Sequence, residues 1–263
     1  MTECSIMIAL STVLSLIKLA ELPYGGSITI ASMLPIVIAV YRHGGLWGFG
    51  CALVNSFIQM LLGLNNFSYF TTWQSVVALA IFDYVLAFAV FALSGIFKKA
   101  IKNQAISMAL GALLACILRY ACHVISGATI WAGLSIPTEA ALIYSFSYNA
   151  TYMLPETIVL ILCTLYIGSV IDFSRKTPTR IATTFDKVEA YLYTGAGLSV
   201  LAGLIVIIAN VFPTLQDPES GEFIFANIVN TNLTAVLIAA GVSIALAAAL
   251  VIAAVLRRKN AAK

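Results

Sequence analysis

The chain has 263 residues, of which 61% are hydrophobic and only 10% are charged, and its mean hydropathy is +1.01. A soluble domain carries roughly a quarter charged residues, so this much apolar surface requires lipid as its main solvent. The composition excludes a secreted enzyme, a nucleic-acid-binding protein and a disordered tail protein. The formal net charge of +3 is small, and its meaning depends on where the charges fall along the chain.

Apolar segments separated by charged or Gly/Pro/Asn-rich breaks predict eight membrane spans. Their continuous apolar character favours helices over barrel strands, because a helix satisfies its backbone groups internally. The second span is short and is expected to be tilted or shielded by neighbours, and Pro155 predicts a kink in the sixth. The spans cover about residues 4–22, 28–41, 46–64, 74–97, 105–126, 140–171, 190–212 and 231–256.

Basic residues mark one side of the predicted membrane protein. All but two of the 14 Lys and Arg residues lie in alternate loops or at the C-terminus, whereas the opposite loops carry only acidic charge. The positive-inside rule therefore predicts that both termini are cytoplasmic. These basic residues are Arg42, Lys98, Lys99, Lys102, Arg175, Lys176, Arg180, Lys187, Arg257, Arg258, Lys259 and Lys263.

A change of composition divides the chain into two parts. Residues 1–172 contain six spans rich in aromatic and polar side chains, and residues 173–189 are predicted to form a cytoplasmic linker. Residues 190–263 contain two further spans, composed mainly of Ala, Val, Ile and Leu and joined by an acidic loop. The intramembrane charges fall in the first part, so we expect the function to reside there.

Five ionisable side chains fall inside the first six spans, where burial in lipid is costly and makes each a functional candidate. Asp83 is predicted about ten residues, roughly 15 Å, below the outer surface. Arg119 and His123 are four residues apart and share one face of the fifth span. Polar and aromatic residues of the sixth span, together with Trp131, are predicted at a similar depth. The ionisable residues are Lys18, Asp83, Arg119, His123 and Glu156, and the sixth-span residues are Tyr144, Tyr148, Asn149 and Tyr152.

These residue types together suit a flat, nitrogen-rich, cationic small molecule. Aromatic faces attract rings and cations, and a carboxylate supplies a counter-charge and accepts hydrogen bonds from amines. One His and scattered carboxylates suit a metal poorly. The spacing also shows no activated Ser or Cys of the kind that hydrolysis needs, which argues against an enzyme.

Each of these residues also has a structural interpretation, which the sequence leaves open. The two tryptophans Trp73 and Trp131 can be interfacial anchors, and Lys18 can extend outward to the membrane surface. Arg119 can pair with Asp83 or with a backbone carbonyl, and His123 can be a structural histidine. A last alternative places Glu156 against backbone groups freed by Pro155.

Over about residues 2–172 the sequence resembles the thiamine-specific substrate-binding (S) components of energy-coupling factor (ECF) transporters. The run from residue 118 to 156 carries most of the resemblance, and the other motifs support it. The motifs are Tyr24-Gly25-Gly26-Ser27, Phe82-Asp83-Tyr84, Leu118-Arg119-Tyr120-x-x-His123-x-x-x-Gly127, Trp131, and Tyr144-Ser145-x-x-Tyr148-Asn149-x-x-Tyr152-Met153-x-Pro155-Glu156.

The resemblance implies an all-α membrane protein with a six-helix S-component core, followed here by two extra C-terminal transmembrane helices. It implies thiamine capture at the outer face of a bacterial cell membrane and delivery together with an ECF transmembrane coupling subunit. Two cytoplasmic ATPases would hydrolyse the ATP, since this chain has no GxxxxGK[ST] loop and is expected to need no cofactor of its own.

The resemblance also assigns site residues. It implies stacking by His123 and Trp131, with Asp83 as the acidic residue, and polar contacts from Tyr84, Tyr144 and Asn149. Two departures are visible, because the family carries Glu where Asp83 stands, and some members carry Trp where Gly26 stands. Further candidates for substrate binding are Trp73, Gly26 and Tyr148.

A small-xxx-small face formed by Ser5 and Ala9 lies on the first span. In the family such a face docks on the coupling subunit, and the alternative is ordinary packing within the bundle.

Other functions remain open at this stage. One is an S component for a related pyrimidine or another vitamin. A second is a stand-alone, proton-coupled carrier that uses Asp83, Arg119 and Glu156 as a relay, and a third is a membrane enzyme acting on lipids. The last two spans are either support for the site or an added module for a different partner.

Overall fold

The computed structural model describes residues 1–22, 25–132, 141–181, 187–215 and 224–261, without the side chains of 187, 212, 225 and 258–261. Contacts divide the chain into two compact units, Met1–Ile181 and Ala182–Lys263. The helices are α1 (Thr2–Leu16), α2 (Leu34–His43), α3 (Gly45–Leu62), α4 (Trp73–Lys98), α5 (Gln104–Thr129), α6 (Ala141–Val170), α7 (Lys187–Leu215) and α8 (Leu233–Ala261). The short strands are β1 (Lys18–Glu21), β2 (Ser27–Thr29), β3 (Ile171–Asp172) and β4 (Thr179–Arg180).

The prediction of an all-α membrane protein is confirmed. Six helices, α3 to α8, are long and apolar enough to cross a bilayer, whereas α1 and α2 are shorter. At the helical rise α1 covers about 22 Å and α2 about 15 Å, less than the roughly 30 Å of a hydrocarbon core. Both helices are therefore shorter than the roughly 20 residues of an ordinary membrane span.

The chain between α1 and α2 forms a hairpin rather than helix ends. Strands β1 and β2 pair antiparallel, with Glu21 opposite Ser27 and Ala20 opposite Ile28. The predicted first span, 4–22, and second span, 28–41, therefore extended too far into this segment. A Pro and two Gly residues stand between the strands, and such residues favour a turn over a continued helix.

Helix α2 lies in the core of the first unit. All residues from Pro35 to Tyr41 are buried, and the helix packs closely on α3 and α4. A Cβ at Gly48 would lie 3.0 Å from Cα of Val40, and one at Gly95 would lie 3.1 Å from its Cγ1. The short second span is thus shielded by its neighbours α3 and α4, as the sequence predicted.

Helices α4 and α5 approach each other closely near the end of α4. A Cβ at Gly111 would lie only 1.8 Å from the carbonyl oxygen of Ser94, so only glycine permits this crossing. Further along, Ser145 of α6 donates a hydrogen bond to the carbonyl of Val124 in α5 at 3.0 Å. These contacts hold together the three helices that carry most of the candidate site residues.

Arg42, in the last turn of α2, binds residues from several segments of the chain. Arg42 donates to the carbonyls of Phe173 and Arg175 at 3.0 and 3.1 Å, and it forms an ion pair with Glu3 of α1. Lys98, the last residue of α4, donates to a carbonyl in the last turn of α2 at 2.7 Å. The basic ends of α2 and α4 and the segment after α6 therefore lie at one end of the unit.

The second unit is a pair of long apolar helices, α7 and α8. A Cβ at Gly203 would lie 2.4 Å from the side chain of Ser243, and the hydroxyl of Ser199 donates to the carbonyl of Ser243 at 3.4 Å. At one end of the pair, the hydroxyls of Thr214 and Thr231 lie 2.8 Å apart. Small and hydroxyl residues at these positions let the two backbones pack closely.

Candidate functional site

Helix α4 changes its winding where it carries the acidic candidate residue. Residues Ala80–Leu86 are wound as a π-helix, between an α-helical first part and a 3₁₀ segment at Val90–Lys98. Such wide turns are rare and occur often at functional sites. Asp83 and Tyr84 both lie in this wide segment.

Three residues predicted at one depth meet around the Asp83 carboxylate. Its Oδ1 lies 3.0 Å from Nδ1 of His123 on α5, and its Oδ2 accepts a 2.8 Å hydrogen bond from Nε1 of Trp131. The side chains of Asp83 and His123 are 14% and 12% exposed, and Trp131 is buried. The structure thus brings α4, α5 and the chain just beyond α5 together at one carboxylate.

Arg119 and Glu156 form a buried ion pair directly beside this cluster. Nη1 of Arg119 donates to Oε2 of Glu156 at 3.1 Å, and the guanidinium lies 4.4 Å above the ring of Phe88. Oε1 of Glu156 accepts a 2.6 Å hydrogen bond from the hydroxyl of Thr29 in β2. Both oxygens of Glu156 are thus bound by side chains rather than by backbone groups freed at Pro155, and the ion-pair partner of Arg119 is Glu156 rather than Asp83.

The imidazole of His123 connects the two groups. Nε of Arg119 donates to Nε2 of His123 at 3.4 Å. Because a guanidinium in a protein always carries its protons, this geometry makes Nε2 an acceptor and leaves the imidazole proton on Nδ1, where it donates to Asp83.

The formal charges of this cluster do not balance. Among the described residues around it, the two carboxylates of Asp83 and Glu156 face one guanidinium, that of Arg119. With neutral His123 and Trp131, the cluster carries one net negative charge. A buried net charge is costly unless something positive offsets it. The site is therefore electrostatically suited to a cationic guest.

Asn149 and Tyr152 of α6 line the α6 side of the site, next to His123. The Asn149 amide donates to the carbonyl of Ser145 at 2.8 Å and to that of His123 at 3.3 Å, and its Oδ1 accepts from the hydroxyl of Tyr152 at 2.6 Å. The Tyr152 ring stands edge-on to the imidazole, with the ring centroids 6.4 Å apart. Both residues are buried, and Asn149 binds the main chain of His123 while Tyr152 lies beside its ring.

The hairpin contributes Gly26 to this side of the site. A Cβ at Gly26 would lie 2.9 Å from the hydroxyl of Tyr148 and 2.9 Å from Cδ1 of Tyr152. The backbone of the hairpin therefore lies directly against the α6 aromatics, where a larger side chain would have to displace them. Tyr24 of the predicted motif lies outside the described residues.

A 3₁₀ segment, Leu64–Tyr69, supplies residues that the sequence analysis did not single out. Asn66 donates to the hydroxyl of Tyr84 at 2.9 Å, and that hydroxyl donates to the carbonyl of Gly63 at 3.0 Å. Tyr69 and Phe70 contact Trp131, with ring centroids 5.8 and 4.9 Å apart. The cluster of aromatic and amide residues in Asn-Asn-Phe-Ser-Tyr-Phe was the available signal.

Trp73 lies away from the Asp83 cluster along α4. Trp73 begins α4, ten residues or about 15 Å before Asp83, and is 71% exposed. Tyr144 lies half-buried in the first turn of α6, before the Asn149 network. The participation of both in the site stays a prediction.

Helix α1 presents two faces of different character. Cys4 and Ser11 are buried, whereas Ser5 and Ala9 are exposed. The predicted small-residue face therefore points away from the core of the first unit.

The fold and the site define a multi-pass α-helical membrane protein with a buried cluster of aromatic side chains around a carboxylate. A family described as "Thiamine transporter protein (Thia_YuaJ)" matches residues 1–173. The chain is also 34% identical over 178 residues to "Thiamine transporter ThiT" of Bacillus subtilis (strain 168), which covers 63% of this chain and 88% of that relative. No solved structure matches the chain significantly.

The chain therefore belongs to the thiamine transporter family, a family of transporters rather than enzymes. The resemblance stated from the motifs is confirmed, and so is a protein that crosses the membrane several times. The family match ends at residue 173, so α7 and α8 lie beyond it.

Proposed function

We propose that this chain binds thiamine at the outer face of a bacterial cell membrane, as the substrate-binding subunit of an ECF transporter. The observation that carries the proposal is the buried cluster of Asp83, His123 and Trp131 beside the Arg119–Glu156 pair, where two carboxylates face one guanidinium and leave one formal negative charge when His123 is neutral. Thiamine is a flat cation, so its thiazolium would offset this charge and its rings would stack on the aromatic side chains.

The Asp83 carboxylate is prepared for such a guest. Its Oδ2 accepts a hydrogen bond from Trp131 and its Oδ1 lies 3.0 Å from Nδ1 of His123, and a neutral indole and imidazole would orient the carboxylate without neutralising it. An ionised carboxylate has about four acceptor positions, so two remain for an aminopyrimidine or for the approach of a thiazolium. Tyr84, Tyr144 and Asn149 are the proposed partners for its other polar edges.

Transport needs partners that supply energy. The sequence has no phosphate-binding loop of the GxxxxGK[ST] type, so ATP would be hydrolysed by cytoplasmic ATPases acting through a coupling subunit. Ser5 and Ala9, exposed on α1, are the proposed contact with that subunit, because small residues allow a helix to approach closely. The proposed orientation places both termini in the cytoplasm.

A stand-alone proton-coupled carrier is the competing proposal of a different class. It would use Asp83, Arg119 and Glu156 as a proton relay, and these three residues are connected through His123. Uptake by vesicles that contain this chain without ATPases, driven by a proton gradient, would favour the carrier and contradict the ECF proposal.

The direct test is calorimetric titration of the purified protein with thiamine. Asp83→Asn keeps the shape of the side chain but removes its charge, and we expect thiamine to bind at least about tenfold more weakly. Asp172→Asn, in β3 outside the cluster, is the matched control and should bind like wild type. Equal affinities for the two variants would contradict the proposal. Competition with the pyrimidine half of thiamine and with riboflavin distinguishes thiamine from related vitamins.

A further inference from the structure

We propose that Thr29, Glu156 and Arg119 are positioning residues that hold His123 in its Nδ1-protonated form and connect the binding site to the β1–β2 hairpin. The proposal rests on the proposed function in one respect, that the activity it affects is thiamine binding. The state of His123 itself is a property of the ligand-free protein and can be measured separately.

A continuous chain of hydrogen bonds carries this proposal. The hydroxyl of Thr29 donates to Oε1 of Glu156 at 2.6 Å, and Oε2 of Glu156 accepts from Nη1 of Arg119 at 3.1 Å. Nε of Arg119 donates to Nε2 of His123 at 3.4 Å, and Nδ1 of His123 lies 3.0 Å from Oδ1 of Asp83. The chain runs from β2 through α6 and α5 to α4, and its first three members are each at least nine-tenths buried.

Arg119 decides which nitrogen of His123 carries the proton. If the proton were on Nε2, that N–H would face the N–H of Arg119, and the lone pair of Nδ1 would face the carboxylate of Asp83. Both contacts would be repulsive. With the proton on Nδ1, both become hydrogen bonds, and the imidazole delivers its donor to the carboxylate that is proposed to meet the cation.

Glu156 and Thr29 in turn decide where the guanidinium lies. The Arg119 side chain has several rotatable bonds, and the buried carboxylate of Glu156 and the ring of Phe88 together restrict it to this position. Thr29 occupies the other oxygen of Glu156, so the carboxylate cannot turn without losing a buried partner. The orientation of the imidazole therefore depends on a hydroxyl in the hairpin strand.

The hairpin meets the site at a second point, which strengthens the connection. Gly26 lies against Tyr148 and Tyr152, and Tyr152 stands edge-on to His123. Strand β2 thus contacts the imidazole network through Thr29, and the residue just before it, Gly26, contacts the α6 aromatics. Movement of this strand would alter the donor presented to Asp83.

Two substitutions at one residue test the proposal. Thr29→Val keeps the shape of the side chain and removes the hydroxyl, whereas Thr29→Ser keeps the hydroxyl and is the matched control. Thiamine affinity is measured by calorimetry. The tautomer of His123 is read in the ligand-free protein from its imidazole ¹⁵N chemical shifts. The chain has two histidines, so His43→Gln assigns the signals.

We expect neutral His123 with its proton on Nδ1 in wild type and in Thr29→Ser. In Thr29→Val we expect loss of the single tautomer and about five- to tenfold weaker thiamine binding, as for a buried acceptor left unpaired. A wild-type His123 protonated on Nε2, or on both nitrogens at neutral pH, would overturn the proposal. So would a Thr29→Val protein with wild-type tautomer and affinity.

The readouts separate this proposal from the proposed function. Wild-type protein that shows the Nδ1 tautomer but does not bind thiamine would contradict the proposed function and leave the positioning network standing. Wild-type protein that binds thiamine but carries the His123 proton on Nε2 would support the proposed function and contradict the positioning network. If Thr29→Val fails to fold, the wild-type tautomer alone decides the outcome.

Discussion

The indole of Trp131 and the carboxylate of Asp83 are joined by a 2.8 Å hydrogen bond from Nε1 to Oδ2. This bond links α4 to the chain just beyond α5, and Tyr69 and Phe70 support the indole from another side. The same residue thus offers a hydrogen-bond donor and an aromatic face, and these two contributions can be measured separately.

We expect Trp131→Ala to weaken thiamine binding at least about tenfold, because it removes both contributions. Trp131→Phe keeps an aromatic face and loses only the N–H, so its loss should be smaller. Trp47→Ala, which removes a 55% exposed tryptophan of α3, is the control and should leave affinity unchanged. Calorimetry on the three variants makes the comparison. Wild-type affinity in Trp131→Ala would show that the indole is not part of the site.

Gly26→Ala should weaken thiamine binding without unfolding the protein. The added Cβ would lie 2.9 Å from the hydroxyl of Tyr148 and from the ring of Tyr152, so the hairpin or the rings must move. We expect an affinity loss of about three- to tenfold, corresponding to the roughly 1 kcal/mol cost of modest overpacking. Gly50→Ala on α3 is the control, because its Cβ meets open space. A binding constant equal to wild type would mean that the hairpin does not bear on the site.

Gly111→Ala should lower the stability of the folded protein. Its Cβ would lie 1.8 Å from the carbonyl oxygen of Ser94, and a backbone atom cannot rotate away as a side chain does. We expect about 1–3 kcal/mol of destabilisation, measured as a lower midpoint of thermal unfolding in detergent. Gly50→Ala again serves as the control and should be neutral or slightly stabilising, because Ala is the better helix former. An unchanged midpoint for Gly111→Ala would contradict the close crossing of α4 and α5.

Ala9→Leu should separate binding from transport. Ala9 is exposed on α1, so a larger side chain should not disturb the core, whereas it would hold a docking helix at a distance. We expect thiamine uptake by cells to fall strongly while calorimetry on the purified protein gives wild-type affinity. Val13→Leu, at a 55% exposed position of the same helix, is the control. Full uptake by Ala9→Leu would contradict the proposal that the coupling subunit docks on the face of α1 that carries Ser5 and Ala9.

The sequence predicted that Asp83, His123 and Trp131 lie close together, but not all of their connections. Asp83, His123 and Trp131 were expected together because helix rise fixes the depth of each residue once the spans and their directions are known. The partner of Glu156 was not predicted, since the direction in which a side chain points depends on how each helix is rotated about its axis. That rotation is decided by packing contacts such as that of Gly111 with Ser94, which no local pattern shows.

The hairpin was missed for a different reason. Leu19, Ala20 and Ile28 in β1 and β2 continue the hydrophobic runs of α1 and α2, and hydropathy alone does not distinguish a short strand from a helix end. The turn-forming residues between the strands were the stronger signal. The π-wound segment around Asp83 carries no distinctive sequence pattern.

The change of winding along α4 has a mechanical consequence. One extra residue in a turn rotates everything beyond it by about 100° around the helix axis. The tight 3₁₀ segment near the end of α4 holds Gly95 and Ser94 against their neighbours, while the wide turns at Ala80–Leu86 set the direction of the acidic residue independently. The C-terminal half of this helix thus packs against α2 and α5, whereas the N-terminal half determines the direction of Asp83. Side chains in the π-wound segment can therefore differ without disturbing the packing of the 3₁₀ segment.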